Sequence, residues 1–273
     1  MVRSLWSAAS GMIAQQTNVD TIANNLANVN TTGYKAETAE FKSLLYQTMQ
    51  TKTTTANGDN KPISAQVGLG VRNSSITSVF KQGALLASTS DTSFAIEGKG
   101  FFAVRGEDGS AYYTRNGTFN FNTGGGNSLV LSTSDGLPVL DTTGKPIALD
   151  TTKYSPSKIT VDATGNLCYP DEANNAQPIG ISIGVYQFNN PSGLEKTSGT
   201  LYIASAASGN AMNEATSPGL EKSRILQGYT EGSSVQVVDE MVNLIVAQRA
   251  YEMNSKAITT TDQMMEQANN LKR

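Results

Sequence analysis

VVDEMVNLIVAQRAYEMNSKAITTTDQMMEQANNL, residues 237–271, decides the fold. Within it Val237, Leu244, Tyr251, Ile258 and Met265 recur every seven residues, with Met241 one turn beyond the first of them. Two turns of helix use about seven residues, so this repeat lines apolar groups along one seam of a helix. Ser233 and Ser234 are good N-cap types, and the pattern predicts a helix from there to near Leu271. A run of that length suggests coiled-coil packing. The front of the chain repeats the message. Leu5, Met12, Val19 and Leu26 step by seven, and Ala8, Gln15, Ile22 and Val29 complete a three-and-four spacing. That helix is expected from Arg3 to about Asn28, ending where Asn-rich sequence and Gly33 tolerate left-handed backbone.

Neither seam can bury itself alone. Leu5, Met12, Val19, Ile22, Leu26, Val29, Val237, Met241, Leu244, Tyr251, Ile258 and Met265 are therefore the candidate self-assembly residues, expected to be completed by neighbouring copies. The rival reading is two amphipathic helices packed on their own β-domain as ordinary core. Helices that lack this burial are expected to be poorly ordered in the isolated chain, and trimming either terminus is expected to leave a folded body.

Between the two helices the pattern changes to short alternating runs separated by turn signals at spacings near ten residues, which predicts an all-β body. Phe94 and Ile96 lead through Gly98-Lys99-Gly100 to Phe101, Phe102 and Val104, and Asp108-Gly109 precedes Ala111, so two successive hairpins are expected. Further strands are predicted over 158–162, 166–169, 179–188 and 200–204. Phe41, Leu44, Leu45 and Met49 suit a short helical or extended segment. Residues 46–66, polar and carrying Asn57-Gly58, read as an extended arm or loop. The fold class expected is α+β: long N- and C-terminal helices forming a coiled-coil-like stem, with a central all-β body. Its expected divisions are 1–45 (N-terminal helix and turn), 46–66 (arm), 67–217 (β-rich body) and 218–273 (C-terminal helix).

Composition excludes much. The 273 residues hold 38% hydrophobic side chains, enough for a real core, and a net charge of −3 with 16% charged residues offers no basic surface for nucleic acid. Histidine is absent, which removes the commonest general base and metal ligand. The single cysteine, Cys168, can form neither an internal disulfide nor a thiolate cluster and reads as a small buried strand residue. No run approaches the ~20 apolar residues that span a bilayer. No apolar leader with a cleavage site is evident at the front. Glu97, Asp108, Asp135, Asp141, Asp150 and Asp162 are the carboxylates available for glycan hydrolysis, but most adjoin Gly or Thr, where aspartate serves turns. No catalytic residues, cofactor or metal are expected.

Asn24-Asn25-Leu26-Ala27-Asn28, followed by Val29-Asn30-Thr31-Thr32-Gly33-Tyr34-Lys35, resembles the N-terminal signature of the bacterial flagellar rod and hook family. Val238 to Ile245, Gln248-Arg249-Ala250-Tyr251-Glu252 and Asn254 to Ile258 are similar to its C-terminal signature. The runs at 95–104 and 113–119 most resemble the distal-rod members. The resemblance implies a non-enzymatic axial subunit of the flagellar basal body, exported through the flagellar type III apparatus without a cleaved signal and added at the growing end of a hollow helical tube that transmits torque. It implies helices lining the inner tube and a β body outside. The implied partners are further copies of the chain, other rod subunits, the hook, the surrounding ring proteins and the export apparatus. The alternatives left open are a proximal rod or hook-type subunit and, from another class, a secreted β-rich glycan-binding protein.

Overall fold

The computed structural model describes residues 2–50, 65–125, 127–171 and 175–271, so most of the expected 46–66 arm lies outside the described residues. The chain is mixed α/β and divides into two compact units.

The first unit comprises Met1–Ala27, Glu37–Thr77 and Gln236–Arg273. Its helices are α1, Val2–Ala27, and α2, Val237–Asn270. The start of α2 falls later than the two serines predicted. Gln236 occupies the cap position without a side-chain bond, while the Ser233 hydroxyl accepts the N–H of Val235 and that of Ser234 accepts the N–H of Ala36. These serines are spent on loop backbone, and Asp239 and Glu240 in the first turn face the positive end of the helix instead. The segment left open between helix and strand is extended. Glu37–Ser43 alternates half-buried and exposed residues and pairs with Val71–Ser78, and Tyr46–Gln50 forms an antiparallel ribbon with Ala65–Gly68. Helix α1 packs on α2 along one side and on strand Glu37–Ser43 along another.

The second unit, Asn28–Ala36 with Ser78–Val235, is the β body. Its largest sheet has six strands in the order Glu195–Lys196, Leu201–Ile203, Ala111–Thr114, Phe101–Arg105, Val185–Gln187 and Met212–Asn213, every pair antiparallel. Strand Phe101–Arg105 is buried on both faces. Phe102 and Val104 join the main core with Phe94, Ile96, Phe119 and Leu131, while Phe101 and Ala103 join a second core with Tyr113, Leu140 and Phe188. The hairpin at Asp108-Gly109 forms as predicted, but the one expected at Gly98-Lys99-Gly100 does not. Phe94–Glu97 pairs instead with Arg224–Gln227, almost at the other end of the body sequence.

The long strand expected over 179–188 divides into Ala176–Ser182 and Val185–Gln187, which lie in different sheets. The break is at Gly184, where a Cβ would sit 2.6 Å from the Asp141 carbonyl oxygen. Only glycine lets the chain cross there. Cys168 is buried within strand Asn166–Pro170.

Candidate functional site: the paired terminal helices and the charge centre of the body

Helices α1 and α2 run antiparallel, and two contacts fix their register. The Asn25 amide donates to Glu240 Oε1 at 3.1 Å and to the Glu37 carbonyl at 2.8 Å, while its oxygen accepts the Glu37 N–H at 2.8 Å. Further along, Gly11 faces Asn254, so closely that a Cβ on Gly11 would lie 2.9 Å from the Asn254 amide nitrogen. Glu240, Ala247, Asn254 and Thr261 form a row seven residues apart, with Ala247 and Thr261 fully buried and the other two partly so. Small groups in that row let the helix axes approach. The apolar-weighted reading passed over this row, although its seven-residue step was visible in the sequence.

The candidate self-assembly residues divide between covered and open positions. Ile22 is buried; Leu5, Met12, Val19, Leu26, Leu244, Ile258 and Met265 are half-buried, largely through contacts inside the chain. Val29 is half-buried in the body unit. Val237, Met241 and Tyr251 remain exposed. Around Met241 the exposure is continuous: Val238 (73%), Val242 (54%), Ile245 (56%) and Val246 (62%) lie at the spacing of one helix face. Trp6 and Ile13 of α1 are likewise 70% and 67% exposed. Of the signature residues on α2, Gln248 and Arg249 are exposed, Arg249 pairing with Glu252 at 2.9 Å, and Ala250 is half-buried. On α1, Asn24 donates to Glu37 Oε2, and Ala27 is exposed; Asn28 caps the turn after the helix by accepting from Thr31.

The rest of the N-terminal signature enters the body. Gly33 has φ +70°, its N–H donates to the Glu231 carbonyl at 2.8 Å, and the Tyr34 carbonyl accepts the N–H of Ser234. Tyr34 is buried, with the Lys196 ammonium 4.5 Å from its ring centroid. Lys35 is wholly buried. Its ammonium donates to Glu231 Oε1 at 2.6 Å and to the Lys81 carbonyl at 2.7 Å. Glu231, also buried, accepts the Gly83 N–H at 2.9 Å and, on its other oxygen, Arg115 Nη1 at 3.3 Å. Arg115 donates besides to the carbonyls of Gly98 and Ile96, and its guanidinium carbon lies 5.1 Å from the Phe101 ring centroid. Desolvation depresses the Lys35 pKa, with Arg115 adding to the effect and Glu231 opposing it; desolvation likewise depresses that of Arg115. Sequence reasoning missed this centre entirely.

Four of the six carboxylates weighed for glycan cleavage are occupied by their own turns. Asp141 accepts from Thr143 and the Lys145 N–H, Asp150 from Thr152, Asp162 from Ala163 and Thr164, and Asp108 from the Tyr112 hydroxyl. Among the described residues no group of three His, Cys, Asp or Glu side chains is placed to hold a metal ion, and no helix is long and apolar enough to cross a membrane.

A β body whose two chain ends lead into long helices, carrying these signatures, defines the axial structural class of the bacterial flagellum. Residues 5–35 match the flagella basal body rod protein family, residues 95–169 the flagellar hook protein FlgE/F/G D1 domain, and residues 226–271 the flagellar basal body rod FlgEFG protein C-terminal family. The chain is 43% identical to the flagellar basal-body rod protein FlgG of Borreliella burgdorferi, over 100% of both chains. Its identity to FlgG of Agrobacterium fabrum is 40%, over 96% of this chain and 97% of the relative, and to FlgG of Buchnera aphidicola subsp. Schizaphis graminum 39%, over 99% and 100%. The chain therefore belongs to the FlgG family of flagellar basal-body rod proteins: a structural rod subunit that serves motility, and not an enzyme.

Proposed function

We propose that the chain is the repeating subunit of the distal rod and polymerises through its helical unit into a hollow helical tube that carries torque from motor to hook. The paired helices α1 and α2 supply a coiled-coil-like stem at the inner tube. Other rod subunits, the hook, the surrounding ring proteins and the flagellar type III apparatus, which exports the chain without a cleaved signal, are its partners. The rod so formed crosses the periplasm or cell wall.

One observation carries this reading. After α1 and α2 have paired, Val238, Met241, Val242, Ile245 and Val246 still face outward as a continuous apolar strip. Strips of this kind on soluble proteins mark surfaces that another protein covers. A second copy presents the same strip and the same exposed Trp6 and Ile13, and a contact that does not close into a ring propagates as a filament.

The test is Val242→Asp together with Ile245→Asp in the full chain. Both positions are exposed in the single chain, so its unfolding free energy should change by no more than about 0.5 kcal/mol per site. Rod assembly and swimming should be lost. Cells that swim normally with both substitutions would remove the strip from the assembly mechanism.

A further inference from the structure

Lys35, Arg115 and Glu231 come from three distant parts of the chain, and the separation has a physical consequence. Glu231 lies 196 residues beyond Lys35 and 116 beyond Arg115. All three side chains are at most 3% exposed. Two cations and one anion meet in a site that water does not reach, and a buried charge without its partner is strongly unfavourable. With Glu231 missing, Lys35 and Arg115 would repel one another, and only the attraction of the buried Glu214 for Arg115 would remain.

The backbone around the centre has the same dependence. The Gly33 N–H goes to the Glu231 carbonyl, the Tyr34 carbonyl takes the Ser234 N–H, and the Ala36 N–H goes to the Ser234 hydroxyl. The early segment 33–36 is therefore seated largely on residues 231–234. The same glutamate fixes the Gly83 N–H. Arg115 ties the centre to Ile96 and Gly98, at the end of the strand that pairs with Arg224–Gln227.

We infer that this buried triad is a closing lock, which makes completion of the body fold conditional on the arrival of residues 229–235. A chain that emerges N-terminus first exposes Lys35 long before its counter-charge exists, and its body stays open until most of the sequence is out. Such a chain remains threadable for that time. The inference stands on the geometry of the body and does not require the export route or the assembly surface proposed above.

Pulsed hydrogen exchange during refolding of the full wild-type chain tests it. Amides of 33–36, 94–97 and 101–105 should gain protection in the same kinetic phase as 229–231. Protection of 94–97 and 101–105 in an earlier phase overturns the lock. A second arm uses full-chain variants at equilibrium. Glu231→Gln removes the charge at nearly constant size and should lower protection of all four segments together, about a hundredfold or more. Adding Lys35→Met restores the original charge balance and should recover at least about tenfold of that loss, a rescue that mere loss of packing does not give. If Glu231→Gln loosens only 33–36 and 79–83, or if the second substitution deepens the loss, the triad is a local clip and the inference is wrong. Rod assembly is not read in either arm, so failure here leaves the assembly proposal untouched.

Discussion

Gly33, where the chain turns from the first helix into the body, sets a strict size limit. Its φ of +70° lies in the left-handed region, and an added Cβ would stand 2.5 Å from the Asn116 backbone nitrogen. Left-handed backbone alone costs an L-residue about 1–2 kcal/mol, and backbone cannot turn aside as a side chain can. Gly33→Ala should lower the unfolding free energy of the body by about 3 kcal/mol or more, with the denaturant midpoint falling at unchanged slope. An unchanged midpoint would show that the turn has another conformation available. This glycine was legible in the sequence, because an Asn-rich run ending in glycine is a turn by its own chemistry. Lys35, two residues on, was not. A lysine reads as surface until the partner that neutralises it is known, and nothing local points to a glutamate 196 residues away.

At the scale of elements, periodicity showed where the helices run but not how they meet. The apolar rows at Leu5-Met12-Val19 and Leu244-Ile258-Met265 are half-buried, while Gly11 meets Asn254 at close range and Ala247 and Thr261, in the row of Asn254, are buried. Small and polar residues make a weak hydrophobic signal, although they decide how near two axes come. Strand partners were illegible for a related reason. Turn residues announce neighbouring hairpins, as at Gly109, but the pairing of Phe94–Glu97 with Arg224–Gln227 is encoded only in a fit between distant strands. Glu240 offers a test of the helix contact. Desolvation raises its pKa above the ordinary 4.5, with the Asn25 bond acting against and Asp239 adding to the rise. A carboxyl whose folded pKa is raised contributes stability that is fully present below the unfolded value and lost as pH rises through the folded one. Glu240→Gln, which keeps an acceptor for Asn25 and never ionises, should therefore gain stability relative to wild type on going from pH 4 to pH 7, read as the difference in Tm at each pH. Equal differences at both values would mean that Glu240 is hydrated in the contact.

For the whole molecule, the division of the sequence matters more than its length. The two signatures were enough to place the chain among structural axial proteins, while composition and the missing histidine only narrowed the classes open to it. They did not show that the body takes in residues 28–36, which follow directly from α1. Trimming the ends should therefore have a sharp boundary. A chain of residues 28–235 keeps the seat of Gly33 to Ala36 and all three charges of the triad, and should retain one cooperative unfolding transition with the body's near-ultraviolet circular dichroism, while losing the strip on α2 and with it polymerisation. A chain of residues 37–235 is only nine residues shorter. It lacks Lys35 and the buried Tyr34 ring, and it leaves Glu231 without its shorter ion pair. Loss of a buried partner costs about 3–5 kcal/mol, and the removed aromatic adds a cavity of comparable weight, a sum that rivals the total stability of a typical domain. The shorter chain should accordingly lack a cooperative transition at 25 °C. If both cut chains melt at the same temperature, residues 28–36 belong to the helical stem and the boundary of the body lies after them.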